Sequence, residues 1–180
     1  LFNRGTVGAD LGAPATLLDI LAQNPNYVTL VGSMSGTLGY TCTELDKGIP
    51  LSEAIKNAMQ RGLTEPTPYT DYSGLDVLNK LTILWRTIAT KYGKSFFDRN
   101  ISYESFIEPA VKKYEQTTGR KFETSDLASL CNDAFIERMK ILDATFAELR
   151  NELRDGKVFR YVGEISYNTK KYSLQAGLKA

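Results

Sequence analysis

Apolar side chains recur three or four positions apart in several stretches of the chain, which is the spacing of one face of an α-helix. This spacing predicts helices over residues 16–21, 35–46, 52–61 and 74–92. Glycine, which tolerates the left-handed backbone found just beyond a helix, follows the last three of these stretches. The first half of the chain is therefore predicted to be mainly helical.

The second half combines helical and alternating patterns. The chain stays helical but more polar after residue 98, and residues 123–154 keep an apolar helical spacing that predicts one long amphipathic helix. Residues 158–167 and 171–178 alternate apolar and polar side chains around Asn168-Thr169, as two strands of a hairpin do. A further strand is predicted at residues 27–34, which begin with the β-branched run Tyr-Val-Thr-Leu-Val.

These elements predict an α+β fold, with a mixed or antiparallel sheet and helices packed on one of its faces. No Gly-x-Gly-x-x-Gly occurs in the sequence, so a Rossmann nucleotide-binding domain is not expected within it. A chain of 180 residues with 42% hydrophobic content is predicted to form one domain over residues 1–180. Its abrupt start without methionine and its end in mid-strand predict a piece of a longer protein.

The charge pattern argues against two classes of partner. The 22 basic and 21 acidic side chains are dispersed, with no basic stripe of the kind that binds nucleic acid. The longest apolar runs fall far short of the roughly 20 residues of a membrane span, and no signal sequence opens the chain. The expected protein is cytoplasmic and binds neither nucleic acid nor membrane.

Cysteine and histidine content limits the possible chemistry. With no histidine and only Cys42 and Cys131, far apart in the chain, neither a zinc site nor a disulfide framework is expected. Both cysteines are expected to be small buried residues. Any general acid or base must be a carboxylate, a lysine, a tyrosine or a cysteine.

Polar residues of that kind are densest over residues 62–80. Asp76 and Lys80 are four positions apart on a predicted helix and so lie on one face of it, and Glu65 and Asp71 belong to the loop that leads into this helix. An ordinary structural explanation exists for each feature, because Ser73-x-x-Asp76 matches a capping box and an Asp–Lys pair is a common surface ion pair. The charge pairing alone therefore does not establish a catalytic site.

Several motifs, taken in order, resemble the homoserine dehydrogenase family. They are Thr6-Val7-Gly8-Ala9, Ser35-Gly36-Thr37-Leu38-Gly39-Tyr40, Leu51-Ser52-Glu53-Ala54, the stretch from Gly62 to Lys80, and Asp155-Gly156-Lys157-Val158-Phe159-Arg160-Tyr161-Val162-Gly163. Ordered similarity over most of the chain is far more specific than any one motif. The chain departs from the family's pattern at Arg4, Gly39, Leu63 and Thr67 but keeps Glu65, Asp71, Asp76 and Lys80.

The resemblance implies a role for each matching residue. Lys80 would be the catalytic lysine that hydrogen-bonds the reacting oxygen and moves its proton. Asp76 would stand beside it in the catalytic pair and, with Glu65, would hold the ammonium of an amino-acid substrate. Asp71 and Thr37 would line the same pocket.

The resemblance also implies sites for a cofactor and an ion. Gly62 would approach the nicotinamide side of NAD(P). The main-chain carbonyls of Val7, Ala9 and Leu11 would fall at the family's monovalent-cation site, occupied by an ion such as Na⁺, although Arg4 stands where the family usually has a glutamate.

The implied activity is reversible NAD(P)-dependent hydride transfer between L-aspartate 4-semialdehyde and L-homoserine, a step of threonine and methionine biosynthesis, in a homodimer. This chain would be the catalytic domain that supplies the substrate site, and an aspartokinase is a possible fusion partner in the parent protein. Without a nucleotide-binding half, the isolated chain is expected to be inactive. The alternative is a non-catalytic amino-acid-binding or dimerisation module with the same fold.

Overall fold

The computed structural model describes residues 7, 12–24, 26–93, 101–153, 156–168 and 172–179. The chain divides into two compact units, each assembled from separate segments. Unit 1 comprises Leu1–Met34, Asp76–Tyr103 and Val162–Ala176, and unit 2 comprises Ser35–Leu75, Glu104–Tyr161 and Gly177–Ala180.

Helices make up most of the described chain. In chain order they are α1 (Ala13–Gln23), α2 (Gly36–Asp46), α3 (Leu51–Gln60), α4 (Tyr69–Tyr72), α5 (Leu75–Tyr92), α6 (Glu108–Thr118), a 3₁₀ turn (Leu127–Ser129), α7 (Asn132–Lys140) and α8 (Asp143–Asn151). The strands are β1 (Tyr27–Gly32), β2 (Ile101–Tyr103), β3 (Arg160–Asn168) and β4 (Tyr172–Lys179). The predicted helices of the first half are confirmed, each within a few residues.

The strands form one four-stranded sheet in the order β1-β3-β4-β2. Strand β1 pairs antiparallel with β3, in a register that runs from Tyr27 opposite Asn168 to Gly32 opposite Gly163. Strand β2 pairs parallel with β4. The sheet is therefore mixed, which confirms the predicted α+β class, and β3 and β4 are neighbours as the hairpin prediction requires.

Strand β2 corrects the prediction that the chain is helical after residue 98. Its residues Ile101, Ser102 and Tyr103 are all exposed, so they show no alternation of buried and exposed side chains. Three residues without such an alternation give no strand signal in the sequence.

In unit 1, helix α5 packs against β3. The buried side chains of α5 include Leu81, Trp85 and Ile88, which share one helix face. The Trp85 ring lies 6.1 Å from that of Tyr167 on β3. A Cβ at Gly163 would come within 2.9 Å of the Leu81 side chain, so a larger residue there would force Leu81 to shift.

In unit 2, helices enclose an aromatic core. The ring of Phe106 lies 5.7 Å from Tyr72, edge-on, and stacks on Phe146 at 5.7 Å. The Tyr161 ring lies 6.1 Å from Phe106. All four side chains are at most 1% exposed, so they form the centre of this unit.

The predicted long helix over residues 123–154 is wrong, because the chain forms the 3₁₀ turn, α7 and α8 instead. Leu130 and Cys131 adopt extended backbone (ψ 139° and 164°), which separates the turn from α7. A second interruption at residues 141–142 separates α7 from α8. Leu127, Phe135, Met139, Leu142 and Phe146 are nevertheless all buried, so the apolar spacing continues across both breaks and conceals them.

The two cysteines differ in environment. Cys42 is fully buried in α2, as predicted, and burial raises the pKa of its thiol to about 12. Cys131 is exposed, which corrects the prediction that it is a buried residue. It lies at the extended N-cap of α7 rather than inside a continuous helix, so it has no core to face.

Among the residues that the structure describes, no helix is long and apolar enough to cross a membrane.

Candidate active site

The first part of the candidate site is built where α2 begins. Ser35 adopts extended backbone and its hydroxyl accepts a hydrogen bond from the Leu38 amide at 3.3 Å, so it caps the helix. The cap places Thr37 in the first turn, where its side chain is 5% exposed. Thr37 is therefore held in one position by the start of the helix.

Thr37 and Asp71 are joined to the loop that follows α3. The Thr37 hydroxyl donates to the main-chain carbonyl of Leu63 and lies 3.1 Å from Oδ1 of Asp71. The other oxygen of Asp71, Oδ2, accepts from the Glu65 amide at 2.8 Å. Unit 2 thus brings the predicted residues Thr37, Glu65 and Asp71 together, with Asp71 as the hub.

The Glu65 carboxylate is exposed, and within the described ranges no hydrogen bond or ion pair engages it. The main chain of Glu65 is held by Asp71, so the side chain projects from a fixed backbone. Glu65, in the loop before α4, and Asp71, within α4, thus belong to one hydrogen-bonded cluster that carries two carboxylates, which would attract a cation.

A buried hydrogen-bond relay that the sequence did not reveal supports this cluster. The Thr41 hydroxyl donates to the Thr37 carbonyl at 2.9 Å and lies 2.8 Å from the Tyr72 hydroxyl. Because the single Thr41 proton is used on Thr37, the Tyr72 hydroxyl must be the donor to Thr41. Burial raises the pKa of Tyr72, so this donor keeps its proton.

The second part of the candidate site lies on α5 in unit 1. The Lys80 ammonium donates to Oδ2 of Asp76 at 2.7 Å and to the main-chain carbonyl of Met34 at 2.8 Å. The Lys80 side chain is 26% exposed and the Asp76 side chain is 44% exposed, so this ion pair is accessible from solvent. The structure confirms the predicted i, i+4 pairing of Asp76 with Lys80, and it adds Met34, which no sequence motif indicated.

The pairing leaves hydrogen-bonding capacity on both partners. An ammonium carries three N–H donors, and the two contacts of Lys80 occupy two of them. Oδ1 of Asp76 also accepts no hydrogen bond from any residue that the structure describes. A ligand oxygen that approaches Lys80 would meet one free donor on a nitrogen whose position is fixed by two other bonds.

Gly62 lies at the left-handed position that ends α3, with φ +67°. Its amide donates to the Met59 carbonyl, and the Leu63 amide donates to the Ala58 carbonyl, which is the Schellman pattern. The backbone conformation therefore accounts for the glycine. A Cβ built there would meet nothing within 4 Å, so the space beside this position is open.

Of the predicted cation ligands, only Val7 lies in the described part of the chain, and it is 3% exposed. Ala9 and Leu11 lie outside the described residues, as does Arg4. Among the described residues, no group of three or more His, Cys, Asp and Glu side chains could hold a metal ion.

Comparison with known proteins gives these clusters a family context. The family model for homoserine dehydrogenase matches residues 16–179, which include the clusters on both units. The chain belongs to the homoserine dehydrogenase family. The resemblance found in the sequence motifs is thereby confirmed.

Individual homoserine dehydrogenase relatives match at moderate identity. A bifunctional aspartokinase/homoserine dehydrogenase of Buchnera aphidicola is 32% identical over 88% of this chain and 17% of that protein. The bifunctional aspartokinase/homoserine dehydrogenase 2 of Escherichia coli is 31% identical over 94% of this chain and 18% of that protein. The homoserine dehydrogenase of Saccharomyces cerevisiae is 27% identical over 97% of this chain and 45% of that protein.

A solved structure supports the fold. A Candida auris protein described as of unknown function matches 97% of this chain and 45% of its own, with a TM-score of 0.73 and 24% identity. The chain spans less than half the length of the yeast relative and less than a fifth of the two bifunctional relatives.

Proposed function

We propose that this chain is the substrate-binding catalytic part of an NAD(P)-dependent homoserine dehydrogenase, which interconverts L-aspartate 4-semialdehyde and L-homoserine. The observation that carries the proposal is the Lys80 ammonium, which Asp76 and the Met34 carbonyl hold while one N–H remains free of any acceptor in the described part of the chain. The family match supports the same activity. In the cell this activity belongs to threonine and methionine biosynthesis, and we expect the protein to be cytoplasmic.

Lys80 would donate its free N–H to the aldehyde oxygen of the substrate. As hydride reaches the carbonyl carbon, negative charge develops on that oxygen, and a cation already held in place stabilises it without reorganisation. Lys80 would then supply the proton that completes the alcohol, and Asp76 would keep the lysine oriented between turnovers. Bound NAD(P)H would supply the hydride.

Glu65 and Asp71 would bind the substrate ammonium. Asp71 Oδ2 accepts from the Glu65 amide and Oδ1 lies 3.1 Å from the Thr37 hydroxyl, and each carboxylate oxygen has a further lone pair with which to accept from a ligand. Glu65 brings an exposed carboxylate from the loop that precedes α4. An ammonium ligand would offset their like charges, whereas a substrate without one would leave them uncompensated.

Four further residues would contact the cofactor and an ion. Gly62 would face the nicotinamide, since its open side leaves room for the ring. The sequence contains no glycine-rich phosphate-binding turn, so we expect no turnover from these residues by themselves. The main-chain carbonyls of Val7, Ala9 and Leu11 would bind a monovalent cation such as Na⁺.

We also propose a homodimer. Among the strands that the structure describes, β1 lies at one edge of the sheet, and its Val31 is 58% exposed, so we infer that this edge and its apolar side chain are available to a second copy. Light scattering of the concentrated full-length protein should give the mass of a dimer. A monomer at high concentration would contradict this proposal.

The substrate assignment is tested by removing the ammonium from the substrate. The full-length protein should reduce aspartate semialdehyde with kcat/KM at least about 10³-fold above that for succinic semialdehyde, which lacks the ammonium. Glu65→Gln should reduce this preference, mainly by lowering kcat/KM for aspartate semialdehyde. Equal kcat/KM values for the two aldehydes would show that the carboxylates do not bind an ammonium.

A further inference from the structure

One segment of unit 2, residues 72–74, packs against the next segment of the same unit, which begins at Glu104. The Phe106 amide donates to the Tyr72 carbonyl at 2.9 Å. The Tyr161 hydroxyl donates to the Glu104 carbonyl at 2.6 Å and lies directly over Gly74. Tyr161 is 1% exposed, so this hydroxyl lies inside the protein.

Gly74 shows how tightly the segment fits beneath Tyr161. A Cβ at this position would lie 2.0 Å from the Tyr161 hydroxyl oxygen and 3.1 Å from the Glu104 carbonyl oxygen. The φ angle of +78° also favours glycine. Only a residue without a side chain allows the backbone to pass under the tyrosine in this conformation.

The same segment is bonded directly to Asp71. The Gly74 amide donates to the Asp71 carbonyl at 3.3 Å, and Tyr72 follows Asp71 in the short helix α4. A shift of the backbone at Tyr72 or Gly74 therefore moves the Asp71 carboxylate. Because Asp71 holds the Glu65 amide, the shift would pass on to Glu65.

We propose that Tyr161 is a positioning residue for the ammonium-binding carboxylates Asp71 and Glu65. It acts through Gly74 and the Glu104 carbonyl and does not touch the substrate. This inference rests on the proposed function, which assigns the ammonium to those carboxylates. The distinctive consequence is an effect on substrate binding without an equal effect on the chemical step.

Tyr161→Phe tests the role of the hydroxyl, because it keeps the ring that packs against Phe106. In the full-length protein, KM for aspartate semialdehyde should rise about threefold to tenfold, the effect of one lost hydrogen bond on alignment, while kcat stays within about twofold. Gly74→Ala, whose added methyl group would press against the Tyr161 hydroxyl and displace residues 72–74, should raise KM further.

Tyr92→Phe is the matched control. The Tyr92 hydroxyl also donates to a main-chain carbonyl, that of Leu21 at 3.2 Å, but in unit 1, whereas Asp71 belongs to unit 2. This variant should keep the KM of the natural protein. A KM shift of equal size in Tyr92→Phe would show that loss of any such hydrogen bond suffices, and would overturn the proposal.

Amide hydrogen exchange separates this inference from the proposed function, since it needs neither substrate nor turnover. In Tyr161→Phe, peptides that contain the Glu65 amide should exchange about fivefold faster, because Asp71 would no longer hold that amide as firmly. Unchanged exchange together with unchanged KM would overturn the role of Tyr161. If the natural protein has no dehydrogenase activity, the proposed function fails while the exchange result still decides the role of Tyr161.

Discussion

Nζ of Lys80 lies 2.7 Å from Oδ2 of Asp76, one helical turn away on α5, and the Met34 carbonyl holds the same nitrogen at 2.8 Å. An exposed ion pair of this kind contributes at most about 1 kcal/mol to stability. Its geometry has a different consequence, because two fixed acceptors leave the third N–H of the ammonium with a defined direction. That direction is what a proton donor to a substrate oxygen requires.

Asp71→Asn should weaken substrate binding more than catalysis. The carboxamide keeps one oxygen that can accept from the Glu65 amide, but it loses the negative charge and the second carboxylate oxygen, which lies beside Thr37. We expect KM for aspartate semialdehyde to rise about tenfold, the cost of a lost charge-assisted hydrogen bond, in steady-state assays of the full-length protein. Glu53→Gln, which removes an exposed charge on α3, is the control, and equal KM values in the two variants would contradict the role of Asp71.

The two cysteines should differ in reactivity. At pH 8 the buried Cys42 thiol, with its pKa raised to about 12, is protonated, whereas Cys131 is exposed. A thiol reagent should therefore modify Cys131 alone in the native protein, and both cysteines in urea. Rapid modification of Cys42 in the folded Cys131→Ser variant would show that the thiol is accessible in the native protein, and would contradict its burial in α2.

The same thiol makes stability dependent on alkaline pH. Unfolded Cys42 loses its proton near 9.0, its ordinary pKa, but the folded protein keeps that proton up to about pH 12. Deprotonation thus favours the unfolded state, and stability should fall as the pH rises from about 9 towards 12. Cys42→Ala should show a shallower fall in urea-unfolding free energy between pH 8 and 10.5. Parallel curves for the two proteins would contradict the burial of the thiol.

Asp143→Ala should destabilise the protein through the start of α3. The Asp143 carboxylate accepts from the Ser52 amide at 2.8 Å and from the Ser52 hydroxyl at 2.7 Å, so it caps a helix distant in sequence. Loss of a cap costs about 1–2 kcal/mol, measurable by urea unfolding. Asp133→Ala removes an exposed acid from the first turn of α7 and should cost less than about 0.5 kcal/mol. If both cost the same, Asp143 does not act as a cap.

The sequence predicted those parts of the fold and site that depend on local spacing. Helix α2 spans its predicted residues to within one position, Gly62 ends α3 in a left-handed conformation, and Asp76 pairs with Lys80 across one turn. Each of these features needs only residues within about five positions of one another, so the residue types themselves carry the information.

Features that depend on tertiary contacts could not be predicted in this way. The Met34 carbonyl reaches Lys80 from another part of the chain, and main-chain acceptors leave no trace in residue type. The breaks around Cys131 and residue 141 occur within an unbroken apolar spacing, since the separate helices bury the same face that one long helix would. The support of Gly74 by Tyr161 joins residues that no periodicity relates.

The most direct test is the rate of NAD(P)H oxidation by the full-length protein with aspartate semialdehyde, measured beside Lys80→Met. Lys91→Met, which removes another lysine from α5, is the control. We predict that the natural protein and Lys91→Met turn over equally, while Lys80→Met loses about 10²–10⁴-fold in kcat, as expected for a proton donor that also stabilises the oxyanion. A Lys80→Met variant with undiminished kcat, or a natural protein that binds homoserine without turnover as a non-catalytic module would, would contradict the proposed catalytic role.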